Sequence, residues 1–456
     1  MRKVVLALQV RAAHRRNGGI VLQEDWRNLL DRQIFPFVEY EGYADKYPTK
    51  NIEIISREQA DELRYISKIL FGAFQRAVSV CQKCGDNFLA DLEIPPELIP
   101  YLQKDNPLHL ASWLSRFDYV LDEQGNFHMV EINADTPCAV IEAYYGNMTA
   151  CTHFEVEDPN YGEYDKLCSW LNEIFLASEP GVSISTGRFH RRHPFLFSCF
   201  HDYQEDYATT KFLMNAMKKN TLATEADDAI TFVSFYDLAV LPDGSILLPD
   251  GRTANAIYRL HPLEILIEER TPEGETLGKD FMDGYLHGRF MMFNPPEAII
   301  MQSKAFQALV WALNNQPAGV TPVFSAEESE VIERYMLPSY FARDFVQEKI
   351  APDTSWIKKP IWGREGAGIE VLDKNGVRFG KEVDTENIVR RDSQDFLYQR
   401  FVEQQPYEAD TDSGRQVGYK TLSCFMLGKN PSALYARFSP DQIAGTEAYW
   451  LPLGVR

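Results

Sequence analysis

The side chains best suited to chemistry in this sequence lie between Arg116 and Pro137. Apolar and polar residues alternate there, a polar Glu-Gln-Gly-Asn turn interrupts them, and the alternation then resumes, which predicts a β-hairpin. On such a hairpin Asp118, Glu131 and Asn133 can lie close together. Two carboxylates and an amide oxygen suit Mg²⁺, which binds few protein ligands alongside waters and substrate phosphates. Arg116 at the entrance of the hairpin would neutralise a phosphoryl oxygen.

The spacing by itself also fits an ordinary surface hairpin with an acidic turn, because paired strands commonly carry carboxylates. The Asn-Ala-Asp-Thr-Pro sequence at 133–137 favours the functional interpretation, since active-site residues tend to lie on loops that leave a rigid strand. Asp135 and Thr136 in this loop are therefore candidate substrate contacts.

Lysine and glycine residues further along the chain indicate a nucleotide site. Lys304 begins a predicted helix after a predicted strand that ends at Met301, and Lys359 ends a predicted strand before a glycine-rich turn. Glycines let backbone N–H groups approach phosphate oxygens closely, and a lysine adds a compact positive charge. The glycines of the turn are Gly363, Gly366 and Gly368.

The glycine-rich segment is neither a Walker A motif nor a Rossmann fingerprint. Taken alone, it also fits a plain β-hairpin. Combined with Lys304, Lys359 and the carboxylate hairpin, it is typical of ATP-grasp enzymes, which hold ATP between two sheets. The sequence therefore predicts an ATP site.

Apolar periodicity predicts the elements that position these residues. A long amphipathic helix is predicted from Ser56 to Val80, and alternating strands and helices from about Phe195 predict a mixed α/β fold with parallel strands. Shorter helices are predicted at 139–144, 162–175, 207–219 and 265–269, strands at 195–200, 230–233 and 256–260, a hairpin turn at 242–244 and a charged loop at 384–393. We expect a largely helical N-terminal lobe (1–106), a lobe with the metal-binding hairpin and the substrate site (107–300), and nucleotide-binding lobes (301–456).

The composition excludes several classes of protein. Of the 456 residues, 45% are hydrophobic and 25% are charged, which indicates a folded rather than a disordered chain. The net charge of −20 argues against nucleic acid or an anionic membrane as a partner, since both attract clustered positive charge. It is compatible with a cationic substrate such as a polyamine, although solubility accounts for most of these charges.

Cysteine usage and the N-terminal residues indicate a compartment. The 7 cysteines have irregular spacing, which fits reduced thiols in the cytoplasm, and Cys81-x-x-Cys84 lacks the second pair that a zinc site needs. The apolar run at 1–11 is broken by Gln9 and Arg11, so it does not match a signal peptide. No other run reaches the length of a membrane-spanning helix. We therefore expect a soluble cytoplasmic protein.

Several motifs resemble the glutathionylspermidine synthase family. Arg-Phe-Asp at 116–118 and Glu-Ile-Asn-Ala-Asp-Thr-Pro at 131–137 resemble its metal-binding hairpin. Ser-Lys-Ala at 303–305 and Lys-Pro-Ile-x-Gly-Arg-x-Gly at 359–366 are similar to its two ATP lysines and its glycine-rich loop. Leu-Tyr-Gln at 397–399 resembles the linker that meets the adenine, and Ala-Arg-Phe-Ser at 436–439 resembles a strand that carries a catalytic arginine.

This resemblance implies an ATP-grasp fold with a pre-ATP-grasp substrate lobe, and a synthetase domain without the amidase domain that some members carry. It implies that Asp118, Glu131 and Asn133 bind Mg²⁺, with two ions in the site. Arg116 and Arg437 would stabilise the transferring phosphoryl group and the phosphorylated intermediate. The residues implied to bind ATP are Lys304, Lys359, Gly363, Arg364, Gly366, Gly368 and Gln399.

The resemblance also implies an ADP-forming carboxylate–amine ligase that joins the glycine carboxylate of glutathione to spermidine through an acyl phosphate. The sequence departs from the family pattern at 258–264, where Glu264 is either a contact for the amine or an ordinary glutamate at a helix start. Two alternatives remain open: a related peptide or amino-acid ligase with other substrates, and a regulatory protein that binds ATP without turnover. An acidic scaffold without a ligand would require all these motifs to be accidents.

Overall fold

The computed structural model describes residues 25–178, 193–220, 226–271, 273–274, 276–345, 354–381 and 395–456. Two segments discussed above, the apolar run at 1–11 and the charged loop at 384–393, lie outside the described residues. Among the helices that are described, none is long and apolar enough to cross a membrane.

The helices follow the predicted apolar periodicity over most of their length. Those described are α1 (Arg57–Cys84), α2 (Asp86–Asp91), α3 (Asn147–Phe154), α4 (Glu163–Ala177), α5 (Gln204–Asn220), α6 (Ala226–Ala229), α7 (Leu263–Leu266), α8 (Leu277–Leu286), α9 (Ala298–Gln302), α10 (Lys304–Asn314), α11 (Ala326–Tyr335) and α12 (Ala342–Phe345). A single π turn, Glu142–Gly146, precedes α3 in the described part of the chain.

The long helix α1 confirms the prediction for this region. Ser56 caps its N-terminus in a capping box with Gln59, and Gly85, with φ of 86°, follows its last residue. Cys81 and Cys84 therefore lie in its last turn.

The strands form five sheets within the described residues. They are β1 (Glu53–Ile55), β2 (Leu114–Leu121), β3 (Phe127–Asn133), β4 (Phe195–Ser198), β5 (Ile230–Phe232), β6 (Ala239–Val240), β7 (Ile246–Leu247), β8 (Thr253–Ala254), β9 (Ala256–Arg259), β10 (Met291–Phe293), β11 (Ser339–Phe341), β12 (Trp356–Pro360), β13 (Glu370–Asp373), β14 (Gly376–Gly380), β15 (Phe396–Arg400), β16 (Pro406–Thr411), β17 (Gly414–Leu427), β18 (Asn430–Ser439), β19 (Tyr449–Trp450) and β20 (Leu453–Val455).

A six-stranded antiparallel sheet carries the predicted carboxylate hairpin. Its order is β19-β18-β17-β2-β3, and β16 pairs with the first half of β17. The hairpin is confirmed as β2–β3, and its register places Arg116 opposite Asn133 and Asp118 opposite Glu131. Because β17 pairs with β2, one sheet joins residues from two of the three predicted parts of the chain. The three-part division stays a prediction.

A five-stranded antiparallel sheet, in the order β11-β15-β12-β13-β14, carries the glycine-rich turn. The predicted strand, turn and strand are confirmed as β12, the turn at 361–369 and β13. On its other side β12 pairs with β15, so that Lys359 lies opposite Leu397. This register brings the end of β12 and the predicted adenine linker side by side.

The predicted α/β lobe is confirmed by a four-stranded parallel sheet in the order β10-β9-β4-β5. The predicted Pro-Asp-Gly turn joins β6 to β7 in a separate three-stranded sheet. Open parallel sheets bind ligands beyond the carboxyl ends of their strands. Here those ends lead into 199–206 after β4 and 260–264 after β9.

The core is organised around α1, which packs against the antiparallel sheet and α10. The ring of Phe74 lies 5.5 Å from that of Phe117 on β2 and 5.3 Å from that of Phe306 on α10. All three rings are buried, and burial of one such side chain contributes about 1.5–3 kcal/mol. These contacts hold β2 and α10, two elements that carry predicted site residues, in fixed positions.

Two element predictions differ from the structure. The strand predicted to end at Met301 is wrong, because residues 298–302 form the helix α9. Ile299, Ile300 and Met301 are all fully buried, and apolar periodicity cannot separate a short buried strand from a short buried helix. The helix predicted at 265–269 instead begins at Leu263, directly after Pro262.

Candidate active site

One cavity of about 680 Å³ is lined by both antiparallel sheets and brings most of the predicted site residues together. Its walls include residues of β2, β3, β12, β15, β17 and β18, the glycine-rich turn, and segments 40–47 and 442–449. The predicted site residues that line it are Arg116, Glu131, Asn133, Thr136, Lys304, Lys359, Gly363, Arg364, Gly366, Gln399 and Arg437. Four others, Asp118, Asp135, Glu264 and Gly368, are not part of this lining.

The carboxylate hairpin places arginines and carboxylates in one network. Arg116 Nε and Nη2 donate to the two oxygens of Asp118 at 2.7 and 2.9 Å. Arg437, on β18, lies with Nη2 3.6 Å from Glu131 Oε1 and 3.8 Å from Asp118 Oδ2. Arg116 lies on β2 and Arg437 on β18. Both of these strands pair with β17, so the sheet holds the two arginines on strands that are separated by one strand.

Burial acts against both charges of the Arg116–Asp118 pair, but their mutual attraction outweighs it. The pKa of the Asp118 carboxyl is lowered and the pKa of Arg116 is raised, each mainly by the other group once the cost of burial is overcome. The pair therefore stays ionised, and removing either partner would leave a buried unpaired charge.

Two of the three predicted metal ligands fit a Mg²⁺ ion at the cavity wall. Glu131 and Asn133 both line the cavity, and the Asn133 amide nitrogen donates to Asp118 at 3.2 Å, which leaves its amide oxygen for a cation. Both oxygens of Asp118 already accept hydrogen bonds from Arg116. Among the described residues, no three His, Cys, Asp or Glu side chains form a metal cluster, and a Mg²⁺ site completed by phosphates and waters does not require one.

The two predicted ATP lysines are buried beside the glycine-rich turn. Lys359 Nζ donates to Gln399 Oε1 at 2.7 Å and to the Val130 carbonyl at 3.2 Å, while Lys304 Nζ donates to the Gly363 carbonyl at 2.6 Å. Burial lowers the pKa of both lysines, and that of Lys359 falls to about 8. A bound polyanion would reverse this effect, because a negative charge favours the ammonium form.

Gln399 is held in place from two other elements. Its amide nitrogen donates to Gln307 Oε1 at 3.1 Å and to Ser339 Oγ at 3.2 Å. Its oxygen is therefore aimed at Lys359. The structure thus connects the predicted adenine linker to a predicted phosphate lysine through one amide.

The glycine-rich turn is tied to the substrate lobe by Arg364. Arg364 Nη2 donates to Glu264 Oε1 at the start of α7. Glu264, a candidate contact for the amine, is thus paired with an arginine in this structure. Arg364 Nε is buried and has no hydrogen-bond partner. Gly366 and Gly368 have φ of 73° and 70°, a conformation that favours glycine.

Asp135, predicted as a substrate contact, lies in a buried ion pair. Its Oδ2 accepts from Arg259 Nη1 at 3.1 Å and from the Leu263 backbone N–H at 3.0 Å. Both side chains of the pair are fully buried. Asp135 therefore joins the carboxylate hairpin to β9 and α7, whereas its neighbour Thr136 lines the cavity.

An acidic cluster at the cavity was not predicted from the sequence. Glu205 and Asp206, in the first turn of α5, line the cavity beside Tyr40 and Tyr47. Glu142 lies behind them and is completely buried. The signal in the sequence was the position of Glu205 and Asp206 just after a strand of the parallel sheet, but acidic residues in a first helical turn commonly serve the helix alone.

Burial sets the ionisation of this acidic cluster. It raises the pKa of Glu142 and of Glu205, and the repulsion of Glu205 adds to the effect on Glu142. Burial and then the charge of Glu205 raise the pKa of Asp206 to about 7. A bound cation would lower the pKa of these carboxyls, because it favours their charged forms.

Lys359 and the glycine-rich turn on one sheet, Lys304 at the start of α10, and arginines and carboxylates of another sheet line one cavity. The protein has an ATP-grasp fold with a pre-ATP-grasp lobe. The chain belongs to the glutathionylspermidine synthase family, because the family model described as "Glutathionylspermidine synthase preATP-grasp" matches residues 19–456. The resemblance seen in the sequence motifs is thereby confirmed. The individual site roles stay predictions.

Among the similar proteins, one curated protein and one solved structure each match most of this chain. A Haemophilus influenzae protein named "Putative acid--amine ligase" is 22% identical over 344 residues, which cover 74% of this chain and 73% of that protein. A glutathione synthetase-like effector from Globodera pallida, solved in apo form, has a TM-score of 0.57 at 10% identity and covers 95% of this chain and 98% of its own. The second likeness bears on the fold alone.

Proposed function

We propose that this protein is an ATP-dependent carboxylate–amine ligase that releases ADP and forms an amide through an acyl phosphate. The observation that carries the proposal is the charge distribution in one cavity. Lysines and arginines line it at the glycine-rich turn and the β2–β3 hairpin, and Glu205 and Asp206 line it from α5. A polyanion and a cation can thus bind in the same cavity, which a ligase of an acid and an amine needs and a nucleotide-binding regulator does not.

ATP would bind with its phosphates at Lys304, Lys359 and the glycine-rich turn. Both ammonium groups are buried, and phosphate oxygens would offset the cost of burying them. Gln399 would lie between the phosphates and the adenine linker. Glycines in the turn let the backbone approach the phosphates closely.

Glu131 and Asn133, supported by Asp118, would hold Mg²⁺, and the family resemblance implies two ions. The ion would supply positive charge that offsets the negative charge developing during phosphoryl transfer.

In the first step an oxygen of the acid substrate attacks the γ-phosphorus, the bond between the β- and γ-phosphoryl groups breaks, and ADP leaves. Arg116 and Arg437 would stabilise the phosphoryl oxygens during transfer, and Arg364 would add positive charge from the glycine-rich turn. The protein supplies position and charge, and no protein nucleophile is required.

In the second step an amine attacks the acyl phosphate, a carbon–nitrogen bond forms, and phosphate leaves. Glu205 and Asp206 would hold the protonated amine by ion pairs before this step. The exposure of these carboxylates to the cavity and the raised pKa of each agree with a site that awaits a positive charge.

The names of the family and of the Haemophilus influenzae relative support an acid and an amine as the two substrates. Glutathione and spermidine are the first pair to test, and another peptide or amino-acid pair is the alternative. All 7 cysteines are free thiols, which fits a reducing compartment, and we place the reaction in the cytoplasm.

The test is ADP release by the purified protein with Mg-ATP, across a panel of small acids and thiol peptides crossed with polyamines and amino acids. The proposal predicts turnover that needs one acid and one amine together. ATP binding without stimulation by any pair would favour the regulatory alternative.

A further inference from the structure

We propose that Tyr435, Tyr47 and Glu142 form a proton relay that removes a proton from the attacking ammonium group. The inference rests on the proposed ligase function and adds a step to it. An alkylamine is protonated near neutral pH and cannot attack a carbonyl until it loses that proton. The carboxylates among the predicted site residues are otherwise engaged: Asp118, Asp135 and Glu264 are paired with arginines, and Glu131 is assigned to Mg²⁺.

Hydrogen counting fixes the direction of the relay. Tyr47 donates its hydroxyl hydrogen to Glu142 Oε1 at 3.0 Å. The hydroxyl oxygens of Tyr47 and Tyr435 lie 3.2 Å apart, and because the Tyr47 hydrogen is already committed, Tyr435 is the donor between them. The Tyr435 oxygen is then left as an acceptor, and Tyr435 lines the cavity.

The relay begins beside the reaction centre and ends in a closed interior. The guanidinium carbon of Arg116 lies 5.6 Å from the centre of the Tyr435 ring, which places the ring next to the arginine assigned to the phosphorylated intermediate. At the other end Glu142 is completely buried, and its Oε2 has no hydrogen-bond partner. A buried carboxylate oxygen without a partner is rare in folded proteins and can receive a proton.

Glu142 also begins the π turn at Glu142–Gly146. Such turns are rare and often occur at functional sites. The turn carries Glu142 to Tyr47, and it carries Tyr144 to Ser432, where the Tyr144 hydroxyl donates to Ser432 Oγ at 3.0 Å.

The charged and titratable groups that face Glu142 come from every element around it. They are Glu205 on α5, Tyr40 and Tyr47 in the N-terminal segment, Tyr435 on β18, Arg116 on β2 and Cys138 in the loop after β3. Burial and Glu205 raise the pKa of Glu142 despite Arg116. The proton affinity of Glu142 is therefore closer to that of an alkylamine than the proton affinity of an ordinary glutamate is. General-base catalysis favours such a match.

The tyrosines pass the proton without becoming anions. Burial raises the pKa of both Tyr47 and Tyr435, so each hydroxyl gives up one proton only as it receives another. The ammonium nitrogen gives a proton to Tyr435, Tyr435 gives its own to Tyr47, and Tyr47 gives its own to Glu142. Glu142 accepts the proton only in its ionised form, whose population grows as the pH rises through the raised pKa of this carboxyl, about 8. The neutral amine then attacks the carbonyl, the carbon–oxygen bond to phosphate breaks, and the departing phosphate takes the second proton from nitrogen.

The experiment compares two acceptors in the same enzyme. Hydroxylamine is uncharged at neutral pH and traps an acyl phosphate as a hydroxamate without a base, whereas an alkylamine needs the base. We expect Glu142→Gln and Tyr47→Phe to lower amide formation with the alkylamine by about 10²-fold, with hydroxamate formation little changed. The loss should shrink as the pH rises toward the pKa of the amine, because free amine is then supplied by the solvent. Tyr144→Phe, in the same π turn, is the matched control and should leave both rates unchanged.

Equal losses with both acceptors would overturn the relay, because they would show a general effect on the site. A loss that does not vary with pH would overturn it as well. If the wild-type protein forms no hydroxamate with any acid, the proposed ligase function itself fails and the relay fails with it.

Discussion

At the scale of single residues, burial sets the charge state of Lys359. It is only 5% exposed, and burial lowers its pKa to about 8. Its neighbour Lys358 points to the other face of β12 and pairs with Glu370 at 3.0 Å. Side chains alternate along a strand, so a register shift of one residue would exchange the positions of Lys358 and Lys359. The sequence motif distinguishes the two lysines, because only Lys359 directly precedes Pro360.

Lys359→Met should weaken ATP binding by roughly 10- to 100-fold, the loss of a charge-assisted hydrogen bond of about 1.5–3 kcal/mol. Lys359 is charged below its lowered pKa and neutral above it. The affinity of the wild-type protein for ATP should therefore fall as the pH rises through about 8, and that fall should be absent in the variant. Isothermal titration calorimetry across this range measures both effects.

The control is Lys358→Met, which removes a partly exposed ion pair worth about 0–1 kcal/mol. Its ATP affinity should match that of the wild type at each pH. Equal losses in the two variants would contradict the assignment of Lys359 to the phosphates.

At the scale of elements, the glycine-rich turn depends on space as well as on backbone conformation. A Cβ at Gly366 would lie 2.7 Å from the Ala444 carbonyl oxygen, whereas a Cβ at Gly376, the first residue of β14, would meet nothing within 4 Å. Both glycines have positive φ, 73° and 114°. The two positions therefore share the backbone requirement, and Gly366 alone combines it with a close approach.

Gly366→Ala should displace the glycine-rich turn and abolish tight ATP binding, while Gly376→Ala should cost only about 1 kcal/mol of stability. Thermal unfolding with and without Mg-ATP separates the two effects. ATP should raise the Tm of the wild type and of Gly376→Ala but not that of Gly366→Ala. A normal ATP-induced shift in Gly366→Ala would show that this turn does not contact the nucleotide.

Elements with a clear local pattern could be predicted from the sequence. The β2–β3 hairpin, the turn after Lys359 and the parallel lobe each follow from periodicity and turn residues within one segment. The α9 helix could not, because its apolar residues are buried on every side. The pairing of β17 with β2 could not be predicted either, because the two strands are about 300 residues apart and no local sequence pattern specifies their register.

At the scale of the whole molecule, the site is assembled from distant parts of the chain. Arg27, fully buried, pairs with Asp412 at 2.7 Å, and the Thr49 N–H donates to the Trp450 carbonyl at 2.9 Å. These contacts hold the N-terminal segment against the C-terminal strands and bring Tyr40 and Tyr47 to the cavity.

The motifs predicted the lysines, glycines and arginines that line one part of the cavity, because these residues form recognisable patterns. The acidic half escaped prediction because Glu142, Glu205 and Tyr47 carry no local pattern and meet only in the folded chain. A chain with a net charge of −20 contains many carboxylates, so composition does not distinguish these acidic residues from the others.

The most direct test of the central claim follows an oxygen atom. The acid substrate that supports turnover is labelled with ¹⁸O in its carboxylate and incubated with the protein, Mg-ATP and the amine. An acyl phosphate requires one labelled oxygen to leave with phosphate, so mass spectrometry should find ¹⁸O in the released inorganic phosphate and none in ADP. Unlabelled phosphate, or label carried into a released adenine nucleotide, would contradict phosphorylation of the carboxylate.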